Sequence, residues 1–303
     1  MRIAVPDMVS NSYFPAIAAV ELGHFKEAGL DVELQALFPV DKAYSALREG
    51  QVDFVAGSAH SALAAFPQWN GVKLLCAQGQ GMYWFLVIRA DLDRGRGNLD
   101  VVKGRRIGAA PWVDMGLRRL LAASGIDVVR DGVQIAPVAA ASTPGVSFGV
   151  AAAKALEDGN IDGFWANGMG TEVAVRRGVG KIVLDIRRGD GPPGCFNYTM
   201  ASVATTDRLI AKMPDLPRAV TGAIVKTHAA LKKNPELATD IGRKLFPAHE
   251  ADLIAELVRR DLPYYDTSIS RDFVAGMNQF ARDTCILVGD VPYEKIVTQR
   301  YSS

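Results

Sequence analysis

The side chains best suited to grip a small molecule are aromatic and amide. Tyr13, Phe38, Tyr83, Trp84, Trp112 and Tyr198 stand near Asn11, Ser12, Ser58, His60, Gln78, Asp114, Asn167 and Asn197 in the chain. Aromatic faces can sandwich a flat ring, each stacked pair contributing about 0.5–1.5 kcal/mol, while amides and hydroxyls orient it. That is the chemistry of reversible capture. Bond-making chemistry has less support. His24, His60, His228 and His249 share no metal-ligand spacing, and His249-Glu250 lacks the second histidine of a zinc-protease helix. Cys76, Cys195 and Cys285 are scattered and odd in number, so they fit small apolar positions better than a metal site or a disulfide framework. No G-x-S-x-G elbow occurs, although a triad assembled in space would leave no such trace. Gly178-Val179-Gly180-Lys181 lacks the spacing and the Ser/Thr of a phosphate loop and reads as a turn before a strand. The pattern calls for no cofactor and no metal.

These residues fall between alternating strands and helices. An apolar strand at 3–5 runs into a polar loop at 7–12, and Pro15 suits the first turn of a helix. Phe14, Ala18, Leu22 and Phe25 share one helical face, which Gly29 closes. After a strand at 32–37, Asp41 is placed to cap a helix carrying Tyr44 and Leu47, which Gly50 ends. A buried-type strand at 52–56 then leads through Gly57 and Ser58 into an alanine-rich helix whose first N–H groups could receive an anion. A strand at 72–77 completes the unit. Such alternation predicts a mostly parallel sheet with helices on both faces.

Ligands of open α/β sheets bind beyond the carboxyl ends of the strands. That rule nominates Asn11, Ser12 and Tyr13 after the first strand, Phe38 after the second, and Ser58 and His60 after the third. Gln78, Tyr83 and Trp84 flank the next crossover; Trp112, Asp114 and Asn167 hold the matching places later in the chain, and Asn197 and Tyr198 begin a returning strand. Lys42 is the one basic residue among these loops, so an oxyanion would rest on helix N-termini and hydroxyls. Other uses stand beside the binding one. Tyr83, Trp84 and Trp165 suit a core, His60 could cap its own helix, and Asp114 suits an N-cap. Trp112, between Pro111 and a helix start, is the hardest to account for by packing.

The middle of the chain repeats its start. Residues 46–54 (ALREGQVDF) correspond to 155–163 (ALEDGNIDG), Gly29-Leu30-Asp31 to Gly125-Ile126-Asp127, and the strand at 3–5 to that at 107–109. Residues 71–75 correspond likewise to 179–183. The three string matches, in one order at compatible spacing, together with the match in role of the first strands, predict two similar lobes. We expect 1–88 with 198–303 to form the first and 89–197 the second, with Gly189 to Gly194 as the clearest loop.

A length of 303 residues suits two lobes. The formal charge of +1, from 34 basic and 33 acidic residues, gives no reason to expect nucleic acid or an anionic membrane as partner. The hydrophobic fraction, 49%, is ordinary for a globular protein, and the longest apolar run falls short of a bilayer span. The chain opens directly on a strand with no apolar targeting segment, so the expectation is either a removed leader or a cytoplasmic protein.

Several phrases resemble the solute-binding proteins of nitrate, sulfonate, taurine and pyrimidine-precursor importers, the NMT1-like family. They are AAVELGHFKEAGLD at 18–31, ALREGQVDFVAGS at 46–58, LVIRAD at 86–91 and VKGRRIGA at 102–109. The resemblance implies a type II periplasmic binding protein fold, with two Rossmann-like lobes joined by two crossover strands. It also implies a small-molecule ligand held in the cleft between lobes, closure about crossovers near Ile88 and Cys195, an ABC permease as partner, and a monomer. In sulfonate-binding members the second-lobe loop is rich in Gly, Ser and Thr. Here it reads Pro111-Trp112-Val113-Asp114, which argues for an aromatic or heterocyclic ligand, with a carboxylate as one form, over a small inorganic anion. The alternative is an enzyme on the same scaffold. Pyrimidine-precursor synthases resemble this family but carry a lysine-bound cofactor and a cysteine cluster; this chain has no cysteine cluster, and Lys42 is the one lysine in the nominated loops; a decarboxylase of aromatic acids is the other form. A regulator's effector domain would need a helix-turn-helix ahead of the sheet.

Overall fold

The computed structural model describes residues 1–139 and 146–298. The chain divides into two compact units, residues 1–81 with 197–303 and residues 82–196.

The first unit opens with β1 (Arg2–Val5), α1 (Phe14–Glu21), α2 (His24–Glu27), β2 (Glu33–Ala36), α3 (Val40–Glu49), β3 (Phe54–Ser58) and β4 (Val72–Gly79). The second holds β5 (Phe85–Arg89), β6 (Arg106–Ala109), α4 (Asp114–Ala123), β7 (Gln134–Ala136), α5 (Phe148–Glu157), β8 (Gly163–Ala166), α6 (Gly168–Arg176) and β9 (Gly180–Asp185). The chain returns through β10 (Ala201–Thr206) to α7 (Asp207–Lys212), α8 (Leu216–Lys233), α9 (Leu237–Leu245), α10 (Ala248–Asp261), α11 (Arg271–Asp283) and α12 (Tyr293–Ile296).

Each unit has one five-stranded sheet, in the orders β2-β1-β3-β10-β4 and β7-β6-β8-β5-β9. Strand for strand the orders are the same, as the sequence repeat predicts. In each sheet the fourth strand is the single antiparallel one and is contributed by a crossover of the chain. The repeat holds to the residue: Ile3 pairs with Phe54 in one sheet and Ile107 with Gly163 in the other. The aspartate before each third strand does one job twice. Asp53 accepts a hydrogen bond from Arg2 N at 2.7 Å, and Asp162 accepts one from Arg106 N at 2.9 Å. Each thereby satisfies the donor that opens its central parallel strand. Gly50 and Gly159 take left-handed φ of 76° and 72°, which only glycine adopts without strain, and turn the chain from helix into strand.

Four local expectations change. The segment 14–25 is not one helix, because Gly23 enters the left-handed region at φ 76° and splits it into α1 and α2. Asp41 lies inside the first turn of α3, whose N-cap is Pro39. Asp114 is likewise the first residue of α4, after Val113, rather than its N-cap. The alanine-rich segment after Ser58 is a 3-10 turn, Ala59–Ala64. The units also divide at 81/82, not after residue 88, because β5 pairs with β8 and β9 and belongs wholly to the second sheet.

The first sheet's central strands are buried on both faces, with every residue of β3 and β10 buried. Two-sided burial fits strands covered by helices on each side. Ile3, Phe14, Ile17, Tyr44 and Phe54 are fully buried in that core. Among the described residues no helix is long and apolar enough to cross a membrane.

Candidate functional site

The registers fix which loops share an edge in the first unit. β1, β2 and β3 run parallel, Ala201 pairs with both Ser58 and Gly79, and so the start of β10 lies beside the ends of β3 and β4. This edge gathers Asn11, Ser12, Tyr13, Phe38, Ser58, His60, Gln78, Asn197 and Tyr198. Asn11, Ser12, Ser58, His60 and Gln78 are at most 3% exposed. So many buried polar groups at one sheet edge need hydrogen-bond accounts.

Most of those accounts are structural. Gln78 Oε1 accepts from Ala16 N at 3.1 Å at the start of α1, and its Nε2 donates to Ser202 O at 3.1 Å. Ser58 Oγ and Ser61 Oγ lie 2.6 Å apart, and Tyr44 donates to Ser58 O at 3.1 Å. Burial pushes the Tyr44 phenol well above its ordinary range, so it stays protonated as a donor. Asn197 packs its Cβ against Gly276, where an added Cβ would come within 2.6 Å. The anion-receiving role expected of the turn after Ser58 falls away. Ala59 N donates to Met200 O at 2.9 Å and His60 N to Thr199 Oγ1 at 3.5 Å, so the first donors are already used.

Two groups in the loop after β1 are not accounted for. Asn11 donates through Nδ2 to Asp261 Oδ2 at 2.7 Å, but its buried Oδ1 has no hydrogen-bond partner among the described residues, and neither does the buried Ser12 Oγ. An unpaired buried acceptor costs about 1–3 kcal/mol. The aromatic lining is continuous: Tyr198 stacks on Phe280 at 4.8 Å and 18°, and His60 meets the same ring edge-on at 5.2 Å.

In the second unit Phe85 pairs with both Ala166 and Asp185, so the start of β5 lies beside the ends of β8 and β9. Tyr83 and Trp84 are 2% exposed and form a T-shaped chain, Tyr83 to Trp84 at 5.1 Å and Trp84 to Trp165 at 6.0 Å. Gly116 lets α4 approach, since a Cβ there would sit 3.0 Å from the Trp84 ring. Trp165 donates through Nε1 to Val113 O at 3.2 Å, tying this cluster to the loop that carries Trp112. Trp112 is half-buried with φ 69°. A bulky residue in the left-handed region costs of order 1–3 kcal/mol, and such strain concentrates at functional sites. Asn167 caps α6, accepting from Met169 N at 3.1 Å and Gly170 N at 3.4 Å, and Asp114 pairs with Arg118 at 2.8 Å.

The structure adds a cation that the sequence reading left out. Arg187, in the turn after β9, is 8% exposed and holds its guanidinium 5.7 Å from the Tyr83 ring centroid. Lys42 is exposed on α3. A buried guanidinium on an aromatic face thus adds positive charge to an edge where the sequence offered none. The carboxyl-end rule applied to β9 would have found it. Among the described residues no cluster of His, Cys, Asp and Glu is arranged to hold a metal ion. Cys195 and Cys76 are buried, and burial pushes their thiols up to about 11 and about 12, far from thiolate chemistry at neutral pH.

Two matched five-stranded α/β units, each with an antiparallel strand supplied by a crossover, are the type II periplasmic binding protein fold. Solved structures agree. A protein of Bordetella bronchiseptica RB50 superposes with a TM-score of 0.74 at 22% identity, over 99% of this chain and 94% of that one. The alkanesulfonate-binding protein SsuA from Xanthomonas axonopodis pv. citri, bound to MOPS, gives 0.70 at 13% identity over 95% and 94%. The periplasmic nitrate-binding protein NrtA from Synechocystis PCC 6803 gives 0.69 at 13% over 94% and 80%. No curated protein sequence matches the chain. The family profile described as NMT1/THI5 like matches residues 10–238, and the chain belongs to that family.

Proposed function

We propose that this chain is the periplasmic solute-binding protein of an ABC importer, acting as a monomer that delivers a small organic ligand to a membrane permease. The ligand is aromatic or heterocyclic and carries a carboxylate or a similar oxyanion. Family membership and the sulfonate- and nitrate-binding proteins among the similar structures support the transport role. The observation that carries the ligand class is the second unit's edge. Arg187 over the Tyr83 ring puts a buried positive charge at this edge, and Trp112, held at φ 69°, lies on the loop that the Trp165 Nε1–Val113 O hydrogen bond ties to the same aromatic cluster. Binding by such a site is reversible, and its product is the ligand unchanged.

The alternative of an enzyme on the same scaffold makes a different prediction for the bound molecule. Native mass spectrometry of protein purified from its own source tests between them. The binding reading expects one non-covalent adduct, released intact on denaturation and absorbing in the aromatic range. A lysine-linked chromophore, or a bound molecule that the protein converts to another, would refute it.

A further inference from the structure

The second unit contains a turn whose residue type and backbone are at odds. Residues 110–114 form a turn closed by Asp114 N donating to Ala110 O at 2.9 Å, and Trp112 stands at its centre with φ 69°. Glycine fits a left-handed centre without strain, because any Cβ there crowds the following carbonyl. The chain places a tryptophan at that position instead. A strained conformation of this kind persists only where the surrounding structure over-determines it.

The hold comes from the middle of the sheet. Trp165 is fully buried in β8, paired with Ala109 of β6 on one side and Leu86 of β5 on the other, so three strands fix where its ring stands. Its Nε1 donates to Val113 O at 3.2 Å, and the same carbonyl accepts from Gly116 N at 3.2 Å in the first turn of α4. The Trp165 ring is itself braced edge-on by Trp84 at 6.0 Å, and a Cβ on Gly116 would lie 3.0 Å from the Trp84 ring. A rigid indole N–H thus grips the residue that follows Trp112. All these contacts lie within the second unit, residues 82–196.

We propose that Trp165 is the positioning residue for Trp112. Through Val113 O it holds the turn in its left-handed form and sets the Trp112 ring before any ligand arrives. This rests on the reading of Trp112 as an aromatic face for the ligand and deepens it, since a face fixed in advance loses less freedom on binding.

The test is amide hydrogen exchange by NMR on the full chain without ligand. It is read at Asp114, whose N–H closes the turn, relative to the amides of β8 in the same protein. In Trp165→Phe, which keeps a ring in the core and removes the donor, the Asp114 amide is expected to exchange about tenfold faster relative to β8, one hydrogen bond's worth of lost protection. Trp112→Gly removes the strain, so adding Trp165→Phe to Trp112→Gly is expected to leave Asp114 as protected as in Trp112→Gly alone. A merely structural Trp165 would loosen the turn equally in both backgrounds. That result, or an unchanged Asp114 amide in Trp165→Phe, overturns the inference. Benzothienylalanine incorporated in place of Trp165 keeps the shape and exchanges the N–H for sulfur, so the same comparison can be made without a cavity in the core. No ligand takes part, so failure here leaves the proposed ligand class standing, and failure of that class leaves the exchange result unchanged.

Discussion

His228 gives the account a quantity that can be worked from the structure. Its ring stacks on Tyr265 at 4.6 Å and 17°, and its Nε2 lies 2.9 Å from the carbonyl oxygen of Gln78, to which it donates. Gln78 in turn holds the start of α1 and the β10 backbone, so this histidine anchors the frame of the first unit's edge. Burial pushes its pKa from 6.5 down to about 4, partly offset by the bond to the carbonyl. The unfolded chain therefore takes up the proton first. The stability this neutral ring contributes is whole above about pH 6.5 and is lost as pH falls toward 4. A shift of that size amounts to roughly 3 kcal/mol in full and about 2 kcal/mol by pH 5. His228→Gln keeps a donor for the carbonyl and removes the titration. Urea unfolding of both proteins at about pH 7, 6 and 5 should show the variant less stable at pH 7, through the lost stacking, yet losing about 2 kcal/mol less on the way to pH 5. Burial also lowers the pKa of His24, but that contribution is common to both proteins and cancels in the comparison. Parallel pH slopes, or an imidazole resonance of His228 that titrates near 6.5, would refute the reasoning.

Two further outcomes follow from the geometry. Trp112→Gly relieves the left-handed strain that Trp112→Ala retains, so the glycine variant should be about 1 kcal/mol more stable than the alanine one by chemical denaturation, while both weaken ligand binding by about 1–3 kcal/mol. Asp162 accepts from Arg106 N, Nε and Nη2 at 2.9–3.1 Å, and the Arg106 guanidinium holds its carboxyl below the usual range. Asp162→Asn should therefore cost about 1–3 kcal/mol, more than Asp53→Asn in the other copy, where the same backbone N–H is capped without an arginine clamp. Equal losses at the two positions would show that the clamp adds nothing.

Much of the frame was written in local signals. Left-handed glycines at 50 and 159 and aspartates at 53 and 162 recur because each closes the same helix-to-strand turn, and a repeated turn leaves a repeated string. The edges holding Asn11, Ser58, Trp112 and Asn167 followed from strand direction alone. What escaped depended on distance or on fine backbone geometry. The bond from Asn11 to Asp261 spans 250 residues, and nothing near Asp261 marks it as more than the end of a helix. Arg187 sits in a short turn whose string, Ile186-Arg187-Arg188, looks solvated, yet Arg187 is buried and Arg188 exposed. The turn after Ser58 had a helical composition but became a 3-10 turn whose first donors reach Met200 and Thr199, both carried by the returning chain. Periodicity cannot see such partners.

The most direct test is calorimetry of the ligand recovered from the native protein, titrated into the wild type and into Arg187→Met. One-to-one binding that saturates is expected, with the variant weaker by about 2–3 kcal/mol through loss of the buried positive charge. Equal affinities, or heat that continues after saturation because the ligand is being consumed, would contradict that expectation.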